Sequence, residues 1–180
     1  MSGHVCAPGA LVVRRERPSE AAAVEAVVAA AFARELGVRP AEAALVERLR
    51  EDAGALPRLA LVAEVGGVVV GHVVCSRGWV DASPVLGLGP LAVAPERQGQ
   101  GVGSALMHAV LAAAEALEEP LVALLGAPGY YGRFGFAPSA GEGIAAPDPR
   151  WGEHFQVRWL AAAPGALAGA FRYAAPFDEL

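Results

Sequence analysis

At 180 residues the chain has room for one domain with a full core and is too short for two of ordinary size. Its net charge of −5 speaks against nucleic acid as a main partner, because phosphate backbones call for a basic surface. All 14 basic residues are arginine, and lysine, asparagine and threonine are missing, a bias that reads as coding in a GC-rich genome rather than as function. Cys6 and Cys75 give neither a disulfide framework nor a metal spacing, so no metal and a reducing compartment are expected.

Residues 1–10 read as a flexible tail and 11–180 as one domain. A first strand is predicted over residues 11–13, followed by a helix capped by Ser19 and running to about Glu35. Arg14-Arg15 ahead of AAAVEAVVAAAFA imitates a twin-arginine signal. Pro18-Ser19-Glu20 is a helix start, however, and Glu25 interrupts the apolar run well short of the roughly 18 residues of a membrane span. No membrane partner and a cytoplasmic location are therefore expected. A second helix follows Pro40 through AEAALVERLRED and ends at Gly54. LALVAEV and VVVGHVVCS, joined by Gly66-Gly67, read as a hairpin, and residues 85–94 as the next strand. Residues 101–117 have helical periodicity, with Val102, Ala105, Leu106, Ala109, Val110, Ala113 and Leu117 on one face. A strand over 120–126, a short helix at YYGRF and strands in FQVRWLAA and GAFRYAA complete the order. Residues 141–154 read as the loosest segment, a substrate-side loop.

The stretch that carries chemistry is LAVAPERQGQGVGSALM, an apolar strand entering a glycine-rich loop that opens directly into a helix. Such a loop aims free backbone N–H groups, backed by the helix dipole, at one point, and the ligand expected there is a pyrophosphate. A P-loop needs a lysine, which this chain lacks. A dinucleotide-binding turn needs G-x-G-x-x-G straight after the strand. Here Pro95-Glu96-Arg97-Gln98 intervene and Ser104 stands where a glycine would follow, although Glu119 lies at the distance of a ribose carboxylate.

Gln98-x-x-Gly101-x-Gly103 after the strand end, together with YYGRFGF at 130–136, resembles the GNAT superfamily of N-acetyltransferases. LGLGPLAV, LLGAPGYYGRFGF and PGALAGAFRYAAPF are similar to its bacterial YhbS-like branch, so that the resemblance runs from about Leu11 to Phe177. It implies an α/β fold, a mixed and mostly antiparallel sheet flanked by helices. It also implies acetyl-CoA as cosubstrate and direct acetyl transfer to an amine. By the same resemblance, the backbone at Leu91, Ala92 and Val93 pairs with the pantetheine arm and its thioester carbonyl. Gln98, Gly99, Gln100, Gly101, Val102, Gly103 and Ser104 cradle the pyrophosphate, and Tyr131, counted back from Gly135-Phe136, is the general acid. Leu88-Gly89-Pro90 supports a break in the strand, because proline cannot donate to a ladder and glycine weakens it. Tyr130 reads as packing or as a cofactor contact.

No titratable group stands between Leu86 and Pro90, where many relatives carry a glutamate. Deprotonation of the amine then falls to water or to one of Glu64, His72 and Asp81. His72, among Val70, Val73 and Val74, reads as a core histidine. His4, His108 and His154 are too scattered for a metal, and Trp79, Trp151 and Trp159 read as packing. Two competing readings remain: a non-catalytic acyl-CoA-binding or regulatory module, against which Tyr131 speaks, and a dinucleotide-dependent oxidoreductase, which the motif spacing disfavours. The cofactor half of the pattern is common to small-amine, antibiotic and protein acceptors, and it carries no signal for an oligomeric state.

Overall fold

The computed structural model describes residues 9–34, 37–165 and 167–180. Four consecutive strands, β1 (Leu11–Arg15), β2 (Ala55–Val65), β3 (Val68–Val80) and β4 (Ser83–Val93), pair antiparallel in sequence order. The β2–β3 turn is Gly66-Gly67 with φ of +59° and +83°, the positive pair that matches a two-residue hairpin to the twist of its strands. β5 (Leu121–Leu125) joins β4 in parallel. Beyond it β8 (Phe155–Trp159) and β6 (Ala137–Pro138) extend the sheet antiparallel. β9 (Gly169–Arg172) pairs with the end of β3 at Trp79 and Val80, and with β7 (Ile144–Ala145) in parallel. The mixed, mostly antiparallel sheet is the one expected.

Successive side chains of these long strands point to opposite faces, so an almost continuous apolar run requires cover on both. One face packs α3 (Val102–Ala116) against Val73, Cys75, Leu86 and Leu88 through Leu106, Met107 and Val110. The other packs α1 (Ala21–Phe32) and α2 (Ala41–Glu51) against Val62, Val74 and Ala92. Further along that second face, Val85, Ala123, Phe155, Phe171 and Tyr173 form a third cluster, with Phe177 bridging to the α2 side. The buried stripe of α3 is Val102, Leu106, Met107, Val110, Leu111 and Ala114. It is rotated from the predicted face because Met107 and Leu111 bury more apolar area than Ala105, Ala109 and Ala113.

Two local readings are corrected. Ser19 is not the cap: residues Pro18–Glu20 form a 3-10 turn held by the Arg17 N–H donating to the Glu20 carboxylate at 2.8 Å, and α1 starts at Ala21 and ends at Phe32. Glu35, like Cys6 and His4, lies outside the described residues. Nor is 141–154 loose. Ile144, 1 % exposed, anchors β7 in the aromatic cluster, and Pro149–His154 is a 3-10 turn opened by Asp148 accepting from the Arg150 N–H.

Arg14 donates to Glu20 at 2.6 Å and to Glu64, tying the start of α1 to β2. The hydrogen bond from Arg14, then the Arg17 N–H, holds the Glu20 carboxyl down to about 2. A carboxyl depressed on folding contributes stability that is fully present above its unfolded value of 4.5 and is lost as pH falls toward 2. Glu20→Gln is therefore expected to flatten the melting temperature between pH 4.5 and 2, as measured by circular dichroism. An unchanged acid limb would show that this cluster does not set acid stability.

Candidate active site

β4 carries the first element of the site. Val73 pairs with Leu91 and Cys75 with Leu88, so β4 holds one residue more than β3 between those pairs and bulges at Gly89-Pro90. Its pairing with β5 is confined to Leu86–Val122 and Gly87–Ala123. Beyond the bulge the two strands no longer pair, and β4 presents an unpaired edge at Leu91, Ala92 and Val93 on the β5 side, open to an extended ligand.

The glycine loop leads from that edge into α3. A 3-10 turn at Pro95–Arg97 follows β4, and Gly99 and Gly101 take φ of +71° and +85°, a conformation that side-chain-bearing residues rarely adopt. Gly101 is the N-cap of α3. No side chain caps the helix and no acidic residue occupies its first turn, so the N–H groups at Val102, Gly103 and Ser104 face outward unsatisfied. This is a seat for an anion. The Gln98 side chain donates to the Val93 carbonyl at 3.0 Å and that of Gln100 to the Glu96 carbonyl at 2.8 Å, so both glutamines shape the loop with their side chains.

Gly103 serves differently: the Tyr130 hydroxyl lies 2.7 Å from where its Cβ would be, so Tyr130 overhangs the first turn of α3. Arg133 stacks on the Tyr130 ring at 4.0 Å and adds a cation beside the same turn. Both residues belong to the segment formed by α4 (Pro128–Tyr131) and the 3-10 turn Gly132–Phe134. Tyr131 is the next residue, and its ring turns to β5, lying so close over Gly126 that no Cβ would fit there. It packs edge-on to Tyr130 and Phe136 on the α3 face of the sheet. Burial, and secondarily Tyr130, pushes its phenol up to about 12. Such a group keeps its proton and acts by donating a hydrogen bond. The bulged strand and Tyr131 thus flank the parting of β4 and β5, with Tyr130 over the uncapped first turn of α3 beside them.

A sequence profile of the Acetyltransferase (GNAT) family matches residues 29–136. The chain belongs to this family. It is 40 % identical over 146 residues to the N-acetyltransferase YjhQ of Escherichia coli K12, covering 77 % of this chain and 80 % of that one. To the N-acetyltransferase YhbS of the same strain it is 32 % identical over 153 residues, covering 84 % and 88 %. The fold superposes on the crystal structure of E. coli YhbS in complex with CoA with a TM-score of 0.85 at 31 % identity, over 98 % of this chain and 96 % of that one. A GNAT acetyltransferase from Brucella melitensis in complex with acetyl-CoA gives 0.75 at 32 % identity, over 94 % and 99 %.

Within this acetyltransferase the residues outside the glycine loop sort clearly. Glu119 is engaged in a two-pronged ion pair with Arg77 at 2.6 and 2.8 Å, which removes it from any ribose. Glu64 is held by Arg14, and Asp81, in the β3–β4 turn with φ +50°, accepts from the Ala170 N–H at 3.0 Å. His72 is fully buried, with its Nε2 3.0 Å from Glu16, and Glu16 also takes Arg50 at 2.7 Å. Burial pushes the His72 pKa below its usual value against the pull of Glu16. Its Nδ1 has no hydrogen-bond partner among the described residues. Cys75, its thiol pushed up to about 12 by burial, is inert. Trp159 donates to Glu142 at 2.7 Å, and Trp151 packs against Phe155. Arg172 stacks over Trp79 at 4.5 Å. Among the described residues no cluster of His, Cys, Asp or Glu could hold a metal, and no helix is long and apolar enough to cross a membrane. Sequence reading missed Glu16, Arg133 and Gly126. Only the last carried a local signal, a glycine five residues before the tyrosine it accommodates.

Proposed function

We propose that one domain spanning residues 11–180 moves the acetyl group of acetyl-CoA to a primary amine by direct attack in a ternary complex in the cytoplasm. The observation that carries this reading is the uncapped first turn of α3 set against the bulged, half-unpaired edge of β4, in a chain whose relatives are solved with CoA and acetyl-CoA. The pyrophosphate sits on the N–H groups of the turn from Gly99 to Ser104, where backbone donors and the helix dipole favour negative charge. Gln98 and Gln100 contribute by holding the loop. Leu91, Ala92 and Val93 align the pantetheine arm, and N–H groups aimed at the thioester oxygen stabilise the tetrahedral oxyanion. The free amine attacks the carbonyl carbon and the N–C bond forms. The C–S bond then breaks, the nitrogen releases one proton and the CoA sulfur takes one up. Tyr131 donates a hydrogen bond to that sulfur as charge builds on it. Calorimetric titration with acetyl-CoA, CoA and NAD, followed by an amine screen for CoA release, tests the reading; NAD binding without acetyl-CoA binding would overturn it.

No single side chain is proposed as an indispensable base. Leu86 to Pro90 offers none, and Glu64 and Asp81 are committed elsewhere. Glu64→Gln, His72→Phe and Asp81→Asn are each expected to keep substantial transfer, with any loss partly recovered at high pH, where the free amine is abundant. The pH profile of kcat/KM decides. A drop of about a thousandfold in one variant, within the span of general-base effects, identifies a dedicated base instead.

A further inference from the structure

β5 is paired on both edges only as far as Ala123, its last pair with β4. Beyond that point the ladder to β8 holds it from one side: Leu124 pairs with Gln156, Leu125 with Phe155, and the Gly126 N–H donates to the His154 carbonyl at 2.9 Å. Gly126 is the seat of the Tyr131 ring, so the floor under the proposed hydrogen-bond donor is the half-supported end of a strand. Its carbonyl is held by a side chain, the Gln156 Nε2 donating to it at 3.0 Å.

Gln156 is a polar residue in an apolar position. It is 1 % exposed and stands opposite Leu124, and paired residues of a ladder share a face, so its amide lies in the layer under α3 that Leu124, Phe134 and Phe136 fill. An amide buried there lowers stability unless it is bonded, and an apolar side chain would fill the same place without that requirement. Two residues further along the same face, Arg158 runs past Gly135 and donates to the Phe134 carbonyl at 2.6 Å. Gly126 and Phe134 bracket the segment that carries Tyr130, Tyr131 and Arg133. One strand thus ties that segment at its entry and at its exit, with side chains at alternate positions.

We infer that Gln156 and Arg158 are positioning residues for acetyl transfer, tying the tyrosine segment to β8 so that the Tyr131 hydroxyl meets the CoA sulfur. The inference rests on the reading of Tyr131 as hydrogen-bond donor given above. Both side chains act through a backbone carbonyl, Gln156 on the glycine under the ring and Arg158 at the far end of the turn. A hydrogen bond weakens steeply with distance and angle, so a small displacement of the hydroxyl removes much of its effect on the sulfur. A donor aimed at a thiolate favours the ionised form, which makes the thiol of bound CoA a direct reporter of that aim.

Titration of the CoA thiol in its complex with the protein, followed by the ultraviolet absorbance of the thiolate as a difference with and without CoA, tests this without an acceptor. In the parent the midpoint is expected below the value of about 8.5 of a free thiol. Tyr131→Phe is expected to raise it by about one pH unit, a tenfold loss of acidity and the worth of one hydrogen bond. Gln156→Met, which keeps the bulk of the side chain and removes its N–H, is expected to raise it about threefold in acidity or more at unchanged CoA affinity. Added to Tyr131→Phe, it is expected to change nothing further, because the hydroxyl it positions is gone. Arg158→Met makes the same comparison from a half-buried site and decides the matter if Gln156→Met does not fold. A parental midpoint in Gln156→Met and Arg158→Met, or a rise that recurs in full on top of Tyr131→Phe, overturns the inference and leaves Tyr131 in its role. A parental midpoint in Tyr131→Phe overturns the Tyr131 reading itself, and a parent that binds no CoA overturns the acetyl-transfer reading.

Discussion

Gly101→Asp is expected to weaken acetyl-CoA binding by about a hundredfold or more while the protein stays folded. Nothing lies within 4 Å of a Cβ added at Gly101, so the side chain enters open space. The backbone there has φ +85°, and aspartate visits that region at a cost of roughly 1–2 kcal/mol, which a folded domain of ordinary stability absorbs. The carboxylate then stands at the N-cap of α3, among the same unsatisfied N–H groups that the pyrophosphate is proposed to use. Two unit charges about 4 Å apart at a protein surface repel by about 4 kcal/mol at an effective dielectric of 20, and each 1.4 kcal/mol is tenfold in affinity. Melting curves and calorimetry on the same preparation separate the two effects. A folded Gly101→Asp protein that binds acetyl-CoA as tightly as the parent would remove the phosphate cradle from this loop. Gly103→Asp is a poorer probe, because its side chain also displaces the Tyr130 hydroxyl.

The glycine loop was legible because its requirements are local: positive φ at Gly99 and Gly101 and an open helix terminus are properties of adjacent residues. The β4 break was likewise written in Gly89-Pro90. Ser19 misled because a local capping preference gives way to contacts from elsewhere: Glu20, clamped by Arg14 of β1 and accepting from the Arg17 N–H, closes a 3-10 turn over Pro18–Glu20 ahead of α1. The segment 141–154 looked loose because its composition is polar and glycine-rich, yet a single buried Ile144 pins it. The Glu16–His72 contact joins residues far apart in sequence, and so does the bond from Gln156 to Gly126. Neither leaves a trace in any short window. Tyr173 is the sharpest case, since only the packed fold reveals that its hydroxyl is buried without a partner while its ring replaces a side chain on Gly87.

Tyr131→Phe is expected to lower kcat by roughly ten- to a thousandfold with little change in acetyl-CoA affinity, the scale of losing a positioned acid. The substitution removes the hydroxyl alone. The ring keeps its seat on Gly126 and its edge contacts with Tyr130 at 4.9 Å and Phe136 at 6.0 Å. With its pKa at about 12, the phenol lies well above a thiol of about 8.5, so full proton transfer to the leaving sulfur is uphill. The effect therefore comes from a hydrogen bond that strengthens as thiolate character develops, which belongs to the transition state and appears in kcat. Tyr130→Phe supplies the contrast. Its hydroxyl overhangs Gly103 rather than the parting of the strands, so its loss is expected to be much milder in kcat and to fall on acetyl-CoA affinity. Both variants are compared with the parent at saturating acetyl-CoA and with the same acceptor, so that a binding defect cannot imitate a chemical one. Equal kcat for parent and Tyr131→Phe would take this residue out of the mechanism, and a larger kcat loss in Tyr130→Phe would move the role one residue back along the helix.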